Sequence, residues 1–202
     1  MEAKVPEGFS PSSILVIQLR QIGDVLLTTP AVRALKKRFP EARLSYLVEP
    51  LPSKVLLENP HIDELIVRDP KAGGIEPVKT VLNVRKRKFD LVVDFLANPR
   101  TSVISFLSGA KVTISYAGNR RSPLYSHAVS PEGVFSAEQK LSLLRVLGIE
   151  NEAPDLEFPL PDKAVEKMKA WLEGAGLDKG EGPLVCLEPF QKWPVLEYPE
   201  EA

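Results

Sequence analysis

The sequence predicts an α/β fold built on a parallel, doubly wound sheet. Three observations carry this. Short apolar runs rich in Val, Ile and Leu recur along the chain with little polar alternation. Strands covered on both faces read this way. Helical patterns fall between the runs, as right-handed crossover connections require. The first run then passes through a short polar turn into a helix at Gly23-Asp24, which is a complete βα unit.

Taken in order, the first strand is residues 14–17. In the helix after it, Val25, Val32, Leu35 and Phe39 share one face and Arg33, Lys36 and Lys37 the other. Pro30 interrupts that pattern: either the helix kinks there, or Thr29 caps a helix that starts at Pro30. The second strand is residues 44–48. Pro50 and Pro52 lead into a short helix, 53–58. Then come a strand at 65–67, a helix at 76–86, a strand at 91–95, a helix at 101–107 and a strand at 112–116. Residues 119–133 hold Arg120, Arg121, Pro123, Pro131 and Gly133 without a clear period, and read as a long loop. Long loops in compact domains are often functional. A helix at 136–147 follows, with Ser136 as N-cap and Gly148 as C-cap.

A proline-rich connector, 151–161, marks the domain boundary. The expected division is residues 1–155 as the sheet domain and 156–202 as a connector with the incomplete start of a second domain. The latter holds a charged helix at 162–173, a glycine-rich stretch and a new strand at 184–187.

Composition narrows the function. The chain has 202 residues, 44% of them hydrophobic, and a net charge of −1, which favours neither nucleic acid nor acidic lipid. Its one cysteine, Cys186, lies in an apolar run and is expected to be a buried thiol. The two histidines show no metal-ligand spacing. No apolar run approaches the ~20 residues that cross a bilayer, and the first residues lack the apolar core of a signal peptide. The expected location is cytoplasmic. Glycines 174–182 follow a helix and precede a strand, the reverse of a dinucleotide fingerprint, which argues against an oxidoreductase. There is no phosphate-binding Gly-Lys-Ser/Thr loop and no Asp-x-Asp motif, so neither a cofactor nor a metal is expected.

Ligands of open α/β sheets bind at the carboxyl ends of the strands. That puts Asp24 at the rim of a site. Its alternative reading is structural, because an aspartate near a helix start satisfies free N–H groups and favours the dipole. Gly23 is expected to serve backbone conformation or close approach. Thr28 and Thr29 are expected to bond their own helix. Asp94 and Arg100 share one strand edge, where they either meet a ligand or form an ion pair. The Arg85-Lys-Arg-Lys88 run ends a helix and reads as a solvated face, with anionic lipid as the alternative.

The stretch Arg20-Gln-Ile-Gly-Asp-Val-Leu-Leu-Thr-Thr-Pro30 resembles the amino-terminal signature of the heptosyltransferases, glycosyltransferase family nine. Asn59-Pro-His-Ile-Asp-Glu-Leu-Ile-Val67, Phe89-Asp-Leu-Val-Val-Asp-Phe95, Arg100-Thr-Ser102 and the helix up to Gly148 follow in the family's order. The resemblance implies the Rossmann-like amino-terminal domain of a two-domain GT-B enzyme, with a kink at Pro30. It implies an inverting transfer of heptose from ADP-heptose to a lipid-linked saccharide, the lipopolysaccharide core. Asp24 would be the general base. Arg20, Gln21, Gly23, Arg100 and Arg120 would contact the acceptor. Gln191-Lys-Trp-Pro194 resembles the family's donor phosphate segment, which makes Lys192 and Trp193 the donor-binding candidates. Phe190 and Gln191 depart from that pattern, where a turn glycine and a lysine are usual. The alternative is a non-catalytic remnant that binds sugar or a partner. Expected partners are the nucleotide-sugar donor and the acceptor. Peripheral contact with the inner membrane, and self-association through Leu184, Val185, Leu187, Phe190, Trp193 and Leu196, complete the expectations.

Overall fold

The computed structural model describes residues 5–6, 8–177, 182 and 184–186. The chain divides into two compact units, Met1–Pro159 and Leu160–Ala202. The first holds a six-stranded sheet: β1 (Ser13–Ile17), β2 (Arg43–Val48), β3 (Glu64–Val67), β4 (Leu91–Asp94), β5 (Val112–Tyr116) and β6 (His127–Val129). The strand order is β3-β2-β1-β4-β5-β6 and every pairing is parallel. The order reverses beside β1, so β1 and β4 flank the switch point where open sheets bind ligands.

The alternation within each strand explains the continuous apolar runs. Ile14 and Val16 face one layer with Leu44, Tyr46, Leu91 and Val93; Leu15 and Ile17 face the other with Leu47 and Val92. Both faces are buried, so no polar alternation survives. The first face is covered by α2 (Thr29–Arg38), through Val32 and Leu35, and by α5 (Ser136–Ser142) with the 3-10 turn Leu143–Leu147. The second is covered by α3 (Glu76–Lys86) through Val84 and by α4 (Pro99–Leu107) through Ile104.

The first helix is broken into α1 (Ile22–Leu26) and α2. Leu27 and Thr28 keep helical backbone angles, and the Val32 amide still donates to the Thr28 carbonyl at 3.0 Å. The interruption is therefore a kink, and α2 starts one residue before Pro30. Thr28 Oγ1 donates to the Val25 carbonyl (2.7 Å) and Thr29 Oγ1 to that of Leu26 (2.8 Å), as expected of their own helix.

Several expectations need correction. Residues 119–133 are not an unbroken loop, because they contain a 3-10 turn at Ser122–Leu124 and the edge strand β6. That strand is three residues long and only Val129 is buried, too little to stand out as an apolar run. The helix expected at 53–58 is a 3-10 turn, Pro52–Leu56. Helix α4 starts earlier than expected, because Asn98 Oδ1 accepts from the Arg100 and Thr101 amides (both 2.9 Å) and Pro99 occupies its first position. Helix α5 starts at Ser136, but the residue capping it is Phe135, and the Glu138 carboxylate reaches back to the Val134 and Phe135 amides. Gly148 closes the following turn at φ +72°, the left-handed conformation expected of it.

The connector is anchored rather than loose. Arg33 donates to the carbonyls of Ala153 and Asp155 and pairs with Glu157 at 2.7 Å. The Glu157 amide donates to Thr29 Oγ1 at 2.9 Å. Helix α6 (Asp162–Gly174) belongs to the second unit. The strand expected at 184–187 is absent over its described residues, 184–186, which are exposed. Cys186 is among them and is not the buried thiol expected, since an apolar run buries its residues only where a neighbouring element covers them. No helix among the described residues is long and apolar enough to cross a membrane.

Candidate functional site

The parallel sheet sends the loops after β1, β4 and β5 out of one edge, side by side. Register fixes their heights: Ile17 pairs with Asp94, and the Phe95 amide donates to the Ile17 carbonyl at 3.0 Å. The segment after β1 carries Arg20, Gln21, Gly23 and Asp24. The segment after β4 leads to Arg100 at the start of α4, and the one after β5 carries Arg120. Topology thus brings these candidates to one edge, on three adjacent strands. Lys192 and Trp193 lie outside the described residues, as do Leu187, Phe190 and Leu196.

The β1–α1 turn has a strained joint. Gln21 sits at φ +63°, a conformation unusual for a residue with a side chain. Here the expectation for Gly23 is corrected. Gly23 lies inside α1 without a positive φ, so the backbone demand falls on Gln21 instead. A Cβ built on Gly23 meets no atom within 4 Å, so the space above it is open. Arg20, Gln21 and Gly23 are exposed, and Asp24 is half-buried. Among the described residues nothing hydrogen-bonds the Asp24 carboxylate, and the first residue of α1 has no side-chain cap. Asp24 does not cap α1, but it stands in the first turn, where a negative charge suits the helix dipole.

The loop after β4 is built on a buried carboxylate. Asp94 Oδ1 accepts from the amides of Leu96 and Ala97, both at 3.0 Å. Its Oδ2 accepts from the Tyr125 hydroxyl at 2.7 Å, and the oxygen of that hydroxyl lies 2.9 Å from Ser102 Oγ. Burial pushes the Asp94 carboxyl above the usual carboxylate range, against the pull of the Tyr125 hydrogen bond. Arg121 Nε donates to the Ala97 carbonyl at 3.1 Å and ties the β5 loop to the β4 loop. Ala97 itself is held at φ +50°. The considered ion pair between Asp94 and Arg100 is absent. Asp94 is fully buried, while Arg100 is exposed. Asp94 is a scaffold for the loop that presents Arg100. Arg120 is exposed beyond β5.

Lys140 is the residue that sequence reasoning missed. It lies on α5 and is 5% exposed. Its ammonium sits 5.9 Å from the centroid of the Phe95 ring, directly after β4. Burial holds its pKa below the ordinary lysine range, and the Asp24 charge opposes that shift. Asp24 also pushes up the buried hydroxyls of Tyr46 on β2 and Tyr116 on β5, adding to burial, the larger cause. The Asp24 charge therefore acts on β2, β5 and α5. A signal for Lys140 was present. It falls on the helical face of Ala137, Leu141 and Leu144, all buried, where a lysine would not be placed for solubility.

No family model matches the chain. Lipopolysaccharide heptosyltransferase 3 of Escherichia coli is 28% identical over 169 residues, which is 79% of this chain and 50% of that protein. The crystal structure of the glycosyl transferase family 9 from Veillonella parvula DSM 2008 superposes with a TM-score of 0.70 at 25% identity, covering 83% of this chain and 50% of its own. The chain is thus similar over most of its length to lipopolysaccharide heptosyltransferase 3 and to a structure of glycosyl transferase family 9. E. coli ADP-heptose lps heptosyltransferase II shares the fold, with a TM-score of 0.62 at 16% identity over 83% of this chain and 51% of its own. The chain spans about half the length of the curated relatives it matches.

Proposed function

We propose that this chain is the acceptor-binding half of an inverting glycosyltransferase that acts on the lipopolysaccharide core. Asp24 is its general base. The observation that carries the reading is the Asp24 carboxylate, half-buried at the switch point, uncapped, and beside the open space over Gly23. In the reaction an acceptor hydroxyl gives its proton to Asp24 as its oxygen attacks the anomeric carbon of the donor sugar. The bond from that carbon to the nucleoside diphosphate breaks, the diphosphate leaves with the electron pair, and the configuration inverts. Arg100 and Arg120 supply positive charge to the carboxylates and phosphates of a core saccharide, and Arg20 and Gln21 add donors from the β1–α1 turn.

The donor in this reading is ADP-heptose, as the name of E. coli ADP-heptose lps heptosyltransferase II suggests. It is held by a donor-binding half, to which Lys192 and Trp193 contribute. The chain works on the cytoplasmic side of the membrane, where nucleotide sugars are available. The test uses this chain joined to a donor-binding half, with ADP release followed from ADP-heptose and a core acceptor. Asp24→Asn and Arg100→Ala separate chemistry from acceptor binding: the first lowers kcat, the second raises the acceptor KM. Unchanged kcat in Asp24→Asn would remove the base from the proposal.

A further inference from the structure

The outer surfaces of α3 and α4 are unlike those of other helices in the first unit. On α3, Ile75 before the helix, Val78 and Leu82 are 60%, 56% and 50% exposed. They follow helical spacing and form one stripe. On α4, Val103, Phe106 and Leu107 are 46%, 60% and 38% exposed and form a second. The Arg85 guanidinium donates to the Leu107 carbonyl at 2.9 Å, so the two helices end side by side. The stripes are therefore neighbours on one side of the sheet.

Charge on this surface has one sign. Lys79, Arg85, Lys86 and Lys88 are exposed along or just past α3, and Arg100 at the start of α4. The single acid of the two helices, Glu76, is buried against Arg68 and Thr80. Monomeric soluble proteins rarely leave so large an apolar group uncovered. A protein partner or a second copy would need matching acids, and a second copy would bring the same cations into opposition. An apolar surface framed by cations fits a bilayer with anionic headgroups, where the apolar side chains enter the headgroup boundary and the lysines meet phosphates.

We infer that α3 and α4 form a docking face for an anionic lipid bilayer. Arg100 stands at the end of that face nearest Asp24, because α4 begins at the carboxyl edge of β4. Docking would hold a lipid-linked acceptor beside the site; this last point rests on the proposed function, while the docking itself does not.

Vesicle co-sedimentation of the full chain tests it. Vesicles of phosphatidylglycerol and phosphatidylethanolamine should bind the chain, and phosphatidylcholine vesicles should not. Lys86→Ser with Lys88→Ser should weaken binding on the order of thirtyfold, at about fivefold per cation. Leu82→Ser with Phe106→Ser should abolish it, with thermal unfolding unchanged because these side chains are exposed. As a second measurement, a fluorophore on Phe106→Cys in a Cys186→Ser background should shift to the blue on anionic vesicles. Equal binding to neutral vesicles, variants that bind like the parent, or no shift at position 106 would overturn the inference. So would a dimer that Leu82→Ser with Phe106→Ser dissolves, which would assign the face to a second copy. Loss of vesicle binding with intact ADP release on a soluble acceptor leaves the proposed function standing. The reverse result removes that function and leaves the docking face.

Discussion

The ammonium of Lys140 lies over the ring of Phe95, 5.9 Å from its centroid, and the charge of Asp24 works to keep it protonated. A cation 5% exposed on a core-facing helix position costs stability. Its position couples that cost to the candidate base. The electrostatics of the edge are thus set by a negative group on α1 and a positive one on α5, with the termini of the central strands between them.

Asp24→Asn should lower transfer by about 10²–10⁴-fold, the usual cost of losing a general base. Thermal stability should change little, because Asp24 makes no described hydrogen bond that the amide would lose. ADP release by the joined enzyme and a melting curve read the two effects separately. A large drop in melting temperature would return Asp24 to a structural role.

Lys140→Met should raise stability. A lysine whose folded pKa is depressed binds fewer protons folded than unfolded. Stability then rises with pH between the folded value and the ordinary 10.5. Methionine removes that dependence, so the melting temperature should rise at pH 7.5 and lose its alkaline gain. In the parent background, Asp24→Asn should push the Lys140 pKa further down, since Asp24 now raises it. Carbon NMR of the methylated lysine follows this directly; an unmoved titration would mean that the two groups do not interact.

Much of this was readable from the chain, for physical reasons. Strands β1, β2, β4 and β5 stood out because both sides of each are buried, as in Leu15 and Val16 of β1, and β3 stood out as an apolar run although Val67 is exposed. Strand β6 did not, because it rests on Val129 alone. The candidate loops were readable from topology, since parallel strands send successive loops to one edge. What stayed hidden depends on long-range contact. Asp94 is fully buried because Tyr125, 31 residues later, covers it. The strain at Gln21 has no mark in its residue type, whereas Gly23 suggested it in the wrong place. The anchoring of the connector by Arg33 has no mark in the connector's own composition.

Acid should destabilise the first unit through Asp90, Asp63 and Glu64. Burial would raise Asp90, but hydrogen bonds from Ser12 and Ser13 and the Lys111 charge hold it below the usual carboxylate range. Asp63 is likewise held low against burial, by the Leu44 amide and Lys36. Glu64 is lowered chiefly by Arg87, at 2.6 Å. A depressed folded pKa gives stability that is present above the unfolded value and lost as pH falls through the folded one. Melting temperature should therefore drop below about pH 4, where unfolded carboxylates begin to protonate. Asp90→Asn should melt lower than the parent at pH 7 and converge with it at acid pH. Parallel curves at all pH values would mean that Asp90 contributes no linkage.

Tyr125→Phe tests the scaffold under Arg100. The variant keeps the ring and removes the 2.7 Å donor to Asp94. A buried carboxylate that loses a partner costs about 1–3 kcal/mol. The cost should depend on pH, through a carboxyl shifted in the direction opposite to that of Asp90. Asp94 is held above its ordinary 3.8 by burial, and the Tyr125 hydrogen bond lowers it. Removing that bond raises it further. An acid with a raised folded pKa binds more protons folded than unfolded, so its contribution to stability falls as pH rises through that window. Tyr125→Phe should therefore destabilise more at pH 7 than at pH 4, where Asp94 is closer to neutral in both proteins. Asp94→Asn combined with Tyr125→Phe should remove this difference, because no buried charge remains. Denaturant unfolding at the two pH values measures it. An equal loss at both would show that Asp94 is already neutral at pH 7, and that the loop after β4 is held by its amides rather than by a charge.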